Sequence, residues 1–183
     1  METIKAKEGE IFDIELEEDL LKKNEELAKK NRQLLDKNKV LTIDVMGSVG
    51  SGKTSLIKNL IRQLKKEHQL AVIAGDLTTT IDAERIKEEK VEVVQVNTGK
   101  ECHLDANLIA RALKEFNLQN LDILFIENVG NLICPAEFPL GSHKRIVVVS
   151  VTEGPWMVTK HPYIFSQADV VAINKIDLAQ AMK

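Results

Sequence analysis

The sequence has few of the residues and patterns that mark unusual chains. Cysteine is scarce: Cys102 and Cys134 are the two among 183 residues. That rules out a disulfide framework and favours a reducing, cytoplasmic setting. Charge of one sign is also lacking. Twenty-eight acidic against twenty-five basic residues leave −3, so no strong field invites nucleic acid or an anionic membrane. The longest apolar runs lie near Leu121–Ile126 and Ile146–Val151, well short of the ~18 residues of a spanning helix. The opening METIKAKEGE has no apolar h-region, so no signal peptide is expected there. What remains is 44% hydrophobic and 29% charged. That is ordinary for a globular domain and enough for a core without staples.

Two parts are expected: an extension over residues 1–38 and a nucleotide-binding domain over 39–183. The extension reads as a helix from about Glu15 to Asp36. Leu20, Leu27 and Leu34 fall seven apart with Leu21, Ala28 and Leu35 beside them, a narrow apolar stripe on a polar rod. Such a helix either docks on its own domain or pairs with another chain. Three heptads, with Asn24 and Asn31 near the seam, are too few to insist on a coiled coil.

The remainder alternates. Val40–Val45, Ala71–Ala74, Glu92–Val96, Ile123–Ile126, Arg145–Val151 and Val170–Ile173 read as strands, nearly continuous Val/Ile/Leu runs suited to burial on both faces. Thr54–His68 and Asp105–Phe116 carry apolar residues at helical spacing. The expected fold is α/β, a mostly parallel sheet flanked by helices. Ligands of such sheets bind at the carboxyl ends of the strands.

The first strand runs into Gly47-Ser48-Val49-Gly50-Ser51-Gly52-Lys53-Thr54, followed by Ser55. This is a complete G-x-x-x-x-G-K-[ST] phosphate loop between strand and helix. Glycines let backbone N–H groups turn around phosphate oxygens, and the helix start adds its positive end. Lys53 is expected at the β- and γ-phosphates and Thr54 on Mg²⁺. Asp76 in IAGDL and Glu127 in LFIENVGN each end an apolar strand, where a carboxylate holds Mg²⁺ directly or through water. Asp44 and Asp82 are nearby acids of lower rank. Gly130 would allow a backbone amide close to the γ-phosphate.

After the last strand stands Asn174-Lys175-Ile176-Asp177. A carboxylate accepts from both N1–H and the exocyclic amine of guanine, and adenine offers neither there. Unpaired polar groups discriminate strongly, so GTP and GDP are expected over their adenine counterparts. Cys102-His103 and Cys134 offer sulfur and imidazole, which suit Zn²⁺ or Ni²⁺. They are one ligand short of a closed tetrahedral site, and two chains could pool theirs across a two-fold axis. Cys134 lies seven residues past Glu127, on the segment that γ-phosphate should order or release.

Together GSVGSGKT, AGDL, NTGKECHLDA, ILFIENVGNLICPA and NKIDL, in this order, resemble the HypB family of hydrogenase nickel-incorporation GTPases. The resemblance covers about Val40 to Leu178. It implies a SIMIBI-class P-loop GTPase that dimerises with GTP. It also implies delivery of nickel to the large subunit of [NiFe]-hydrogenase, together with a small zinc-containing partner, HypA. The family's interface metal site corresponds to Cys102, His103 and Cys134. Departures are visible. No Cys or His precedes His68, Pro155-Trp156-Met157 follows Thr152-Glu153-Gly154, and Phe138-Pro139-Leu140-Gly141 replaces an acidic pattern. Few residues follow Asp177, so the domain is short at that end against the family. The expected activity is slow GTP hydrolysis coupled to metal handling by a homodimer, with no nucleic acid and no membrane involved. A urease-type nickel GTPase, a metal-storage protein with a structural nucleotide and a P-loop kinase are the alternatives.

Overall fold

A computed structural model describes residues 14–99 and 101–182; the opening METIKAKEGE lies outside them. Thirteen regular elements follow in order: α1 (Ile14–Asn38), β1 (Leu41–Gly47), α2 (Lys53–Leu64), β2 (Leu70–Asp76), α3 (Ile81–Lys87), β3 (Glu92–Asn97), α4 (Ala106–Ala112), β4 (Ile123–Glu127), α5 (Cys134–Glu137), β5 (Lys144–Ser150), α6 (Met157–Lys160), α7 (Pro162–Ser166) and β6 (Val170–Asn174). The six strands form one parallel sheet in the order β3-β2-β4-β1-β5-β6. The α/β expectation therefore holds, and all six expected strands are present.

Burial follows position in the sheet. β2 and β4 are covered on both faces, and all five residues of β4 are buried. One face packs Ile109, Leu113, Phe116 and Leu35 against Ala71, Ile73, Leu124 and Ile126. The other packs Ile57, Ile61 and Ile86 against Val45, Val72 and Phe125. The outer strand β6 leaves Val170, Val171 and Ile173 exposed. Among the described residues no helix is long and apolar enough to cross a membrane.

α1 docks on its own chain, against α4 and the segment before β5. The buried line differs from the expected one. Leu20 and Leu34 are 54% and 42% exposed, whereas Asn24, Ala28, Asn31 and Leu35 are buried. The reason is polar. The Asn24 side chain accepts from Ala106 N (2.8 Å) and donates to Pro139 O (2.9 Å). The Asn31 amide donates to Ala106 O (2.8 Å) and Leu140 O (3.2 Å). Arg32 donates to Gly141 O and Ser142 O. Buried amides kept by such pairing specify a register that leucines alone would not. Gly141 permits the approach: its φ is +94°, and a Cβ there would lie 2.5 Å from Ala28 O.

Candidate functional site

The central strands β1 and β4 are neighbours with Val45 opposite Glu127. Their carboxyl ends therefore carry the phosphate loop and the Glu127 carboxyl side by side. A cleft of about 450 Å³ opens there, lined by Gly50, Gly52, Lys53, Thr54, Glu127 and Asn174 among others. Ser55, Asp76, Asp82, Arg85 and Lys175 also face it.

The loop takes its shape from glycine. Gly52 has φ +107°, and a Cβ there would fall 1.9 Å from the Asn174 side-chain amide. No other residue satisfies both demands. Asn174 in turn donates to Ser51 O (2.8 Å) and accepts from Lys175 N (2.8 Å). The first residue of the Asn-Lys-x-Asp run thus braces the phosphate loop. Lys175 has φ +56° and lines the cleft. Asp177 sits one step on, in an exposed 3-10 turn (Ile176–Leu178). The buried Lys53 ammonium donates to Gly47 O and Ser48 O, each at 3.1 Å. Burial pulls its pKa down, opposed by Glu127, Asp82, Glu153 and Asp76. The hydroxyls of Ser48 and Ser51 are buried without a partner.

Thr54 Oγ1 lies 2.8 Å from Asp82 Oδ1 and 2.7 Å from Glu127 Oε1. A hydroxyl has one proton to give, so two carboxylates cannot both accept it. Burial, partly offset by the Thr54 contact, pushes the Glu127 pKa to about 7. Its carboxyl therefore carries the second proton when protonated. Glu127 Oε2 is buried with no partner. Three hard oxygen ligands with a proton deficit and an orphaned lone pair suit a divalent cation such as Mg²⁺.

The acids arrange themselves differently from their expected ranking. Asp82, placed low by its sequence position, joins Glu127 on Thr54. Asp76 lines the cleft but uses Oδ1 to accept from Thr78 N (3.0 Å) and Thr79 N (2.8 Å). Burial raises its pKa, but these amides outweigh that and hold it below the usual carboxylate range. Asp44 is fully buried, with a pKa pushed by burial to about 6 and Oδ1 accepting from Asn128 Nδ2 (3.1 Å). Arg85 had no motif to announce it. It bonds Asp82 Oδ1 at 3.2 Å and faces the cleft. Its signal was the (i, i+3) spacing from Asp82 on a short helix.

The Cys102, His103 and Cys134 ligand atoms all lie within 4.8 Å of one another. The two sulfurs are 2.9 Å apart, and both thiols are free. His103 stacks on Phe138 with centroids 3.8 Å apart. Its Nδ1 is buried without a hydrogen-bond partner. Burial lowers its pKa, against the pull of Glu101, Asp105 and Glu137, which favours the neutral, ligating imidazole. Burial and the Cys102 contact raise the Cys134 pKa, so a metal has to displace its proton. His68, His143 and His161 stand elsewhere. His143 joins Thr42 N to Asp36.

The profile described as "CobW/HypB/UreG, nucleotide-binding domain" matches residues 41–183. The chain is 56% identical over 169 residues to the probable hydrogenase maturation factor HypB of Methanocaldococcus jannaschii, covering 92% of this chain and 76% of that one. It is 46% identical to the hydrogenase maturation factor HypB of Escherichia coli K12, covering 90% of this chain and 57% of that protein. Among solved structures it resembles HypB from Helicobacter pylori in complex with nickel, at 39% identity and a TM-score of 0.81, covering 87% of this chain and 75% of that one.

Proposed function

The chain belongs to the CobW/HypB/UreG family of nucleotide-binding domains, and from that premise we propose that it is a GTP-hydrolysing nickel metallochaperone for [NiFe]-hydrogenase. The carrying observation is the spacing of two sites in one segment. Glu127 ends β4 in the phosphate cleft, and Cys134, seven residues on, completes the Cys102–His103 cluster. Relatives at 46% to 56% identity are named hydrogenase maturation factors, and a similar structure holds nickel.

In this reading Gly47, Ser48, Gly50, Ser51, Gly52, Lys53, Thr54 and Ser55 receive the phosphates. Lys53 leaves its two loop carbonyls for phosphate oxygens, a better partner for a buried cation. Thr54, Glu127 and Asp82 would hold Mg²⁺, with Asp76 close by. Bound Mg²⁺ supplies charge neutralisation at the β- and γ-phosphates. Asn174, Lys175 and Asp177 recognise guanine. Nickel, or zinc in its place, is cargo on Cys102, His103 and Cys134. Three ligands in one chain leave a fourth for a second copy or for solvent. GTP favours the homodimer and GDP loosens it, so hydrolysis times metal release. A HypA-like zinc-containing chaperone and the hydrogenase large subunit are the expected partners, in the cytoplasm.

Light scattering with GDP and with a non-hydrolysable GTP analogue, each with and without Ni²⁺, tests this. A dimer that appears with the analogue and strengthens with metal is the expected result. A monomer in all four conditions defeats the dimer switch.

A further inference from the structure

Two asparagines on the loop after β4 reach across to the segment that carries Cys102 and His103. Asn131 Nδ2 donates to Cys102 O at 3.3 Å. Asn128 Oδ1 accepts from Leu104 N at 3.4 Å. The two bonds therefore grip the backbone on either side of His103. Both lie just past the usual hydrogen-bond range, so a loop shift of about 0.5 Å tightens or breaks them.

The same loop is tied to the phosphate side. Asn131 pairs with Gly47 in an isolated antiparallel bridge. Gly130 abuts the phosphate loop: a Cβ on it would lie 2.4 Å from Val49 Cγ2 and 3.0 Å from Val49 N. Asn128 follows Glu127 directly, and its Nδ2 is fixed by buried Asp44. The remaining bonds are local. Asn128 Oδ1 also accepts from Val129 N (3.0 Å), and Asn131 Oδ1 accepts from Ile133 N (3.0 Å), one residue before Cys134. Leu104, wholly buried, rests on Gly75: a Cβ there would be 2.7 Å from Leu104 Cδ1 and 2.9 Å from Glu127 O. Leu104 thereby anchors one end of the segment that carries Cys102 and His103.

We propose that Asn128 and Asn131 are positioning residues. Through them the nucleotide held by the phosphate loop sets the backbone that presents Cys102 and His103 to metal. This rests on the metallochaperone reading and names the contacts that couple its two sites. Any movement of Gly130 against Val49 is carried by the Asn131 and Asn128 amides to both flanks of His103. Coupling through a packed network requires an element with two arrangements, and the proposal gives that part to the loop of Gly130 and Asn131. The Asn131 amide has a second partner in Ile133 N, so the same shift also moves the start of α5, where Cys134 sits.

The test is titration with Ni²⁺ alone, followed by the thiolate-to-nickel charge-transfer band, on protein loaded with GDP or with the non-hydrolysable analogue. Asn131→Asp keeps the shape and the bond from Ile133 N but removes the donor to Cys102 O. Asn128→Ser shortens the second reach. In the wild-type chain the nickel Kd is expected to differ by about 5-fold or more between the nucleotides. In Asn131→Asp the ratio is expected within about 2-fold of unity, with nickel still bound. A wild-type ratio in Asn131→Asp overturns the proposal and leaves the metallochaperone reading intact. Equal nickel affinity with both nucleotides in the wild-type chain overturns the coupling itself. Asn131 is half-exposed, so its variant decides the matter even if the buried Asn128 variant does not fold.

Discussion

The phosphate cleft and the metal cluster are seven residues apart along one loop, yet they are built by opposite means. The cleft is built from buried, braced parts. Lys53, Thr54 and Glu127 are buried, and the loop is braced by Asn174. The metal cluster lies at the surface. Cys102 is exposed and Cys134 half-buried, held mainly by each other and by long bonds from asparagines. A site that must bind tightly and hydrolyse slowly gains from rigidity. A site that must take up and hand over a metal needs exposed ligands and a backbone that can be pulled. The difference is the one the proposed function calls for, with nucleotide in the first and a transferable metal on the second.

The contrast can be broken at its stiff end first. Lys53→Ala leaves the phosphates without their buried cation, and GTP turnover should fall at least ~100-fold, read by phosphate release. Nickel binding in the GDP-free protein should be unchanged. If it falls equally, the two sites are one folding unit. At the soft end, Cys134→Ser should weaken nickel binding roughly 10–100-fold while leaving affinity for a fluorescent GTP analogue as it was.

The raised pKa of Glu127 offers a second handle on the cleft. Its folded pKa of about 7 lies above the ordinary carboxyl value of 4.5, and that of Asp44, about 6, lies above 3.8. Raised carboxyls mean that the folded state holds protons the unfolded chain has lost. Stability is fully present below about pH 4 and is lost as pH rises through the folded values. Between pH 5.5 and 8 the nucleotide-free protein should lose roughly 2 kcal/mol through Glu127. Thermal melts should then show Glu127→Gln losing about 5 °C less than wild type over that span. Equal losses would mean that Glu127 is ionised throughout. The smallest effect separates the acids. Asp82→Asn should cut turnover about 10-fold more than Asp76→Asn, because Asp82 rather than Asp76 meets Thr54. The reverse order would give Asp76 the cation.

Much of this was legible in the chain. The phosphate loop, the acid at the end of β4, the Asn-Lys-x-Asp run and the Cys-His-Cys set all sit beside strands whose Val/Ile/Leu runs announce a parallel sheet. α1 was legible as a helix, and docking on its own domain was one of its two readings; the buried face keeps Ala28 and Leu35 of the expected stripe but not Leu20 or Leu34. Heptad leucines pointed to Leu20–Leu27–Leu34, while the buried line runs through Asn24 and Asn31. Two buried asparagines read as polar positions until their partners, Ala106, Pro139 and Leu140, are known.

Local sequence was enough for the alternation of strand and helix and for the kind of chemistry at each strand end. Periodicity and local motifs are properties of neighbouring residues. Tertiary structure alone decided which acid meets Thr54, which asparagines hold the metal segment and that Cys102 and Cys134, 32 positions apart, come within 2.9 Å. Those relations depend on strand order. β4 returns between β2 and β1, where both faces of its four apolar residues are covered, and no local pattern encodes where a buried strand will insert.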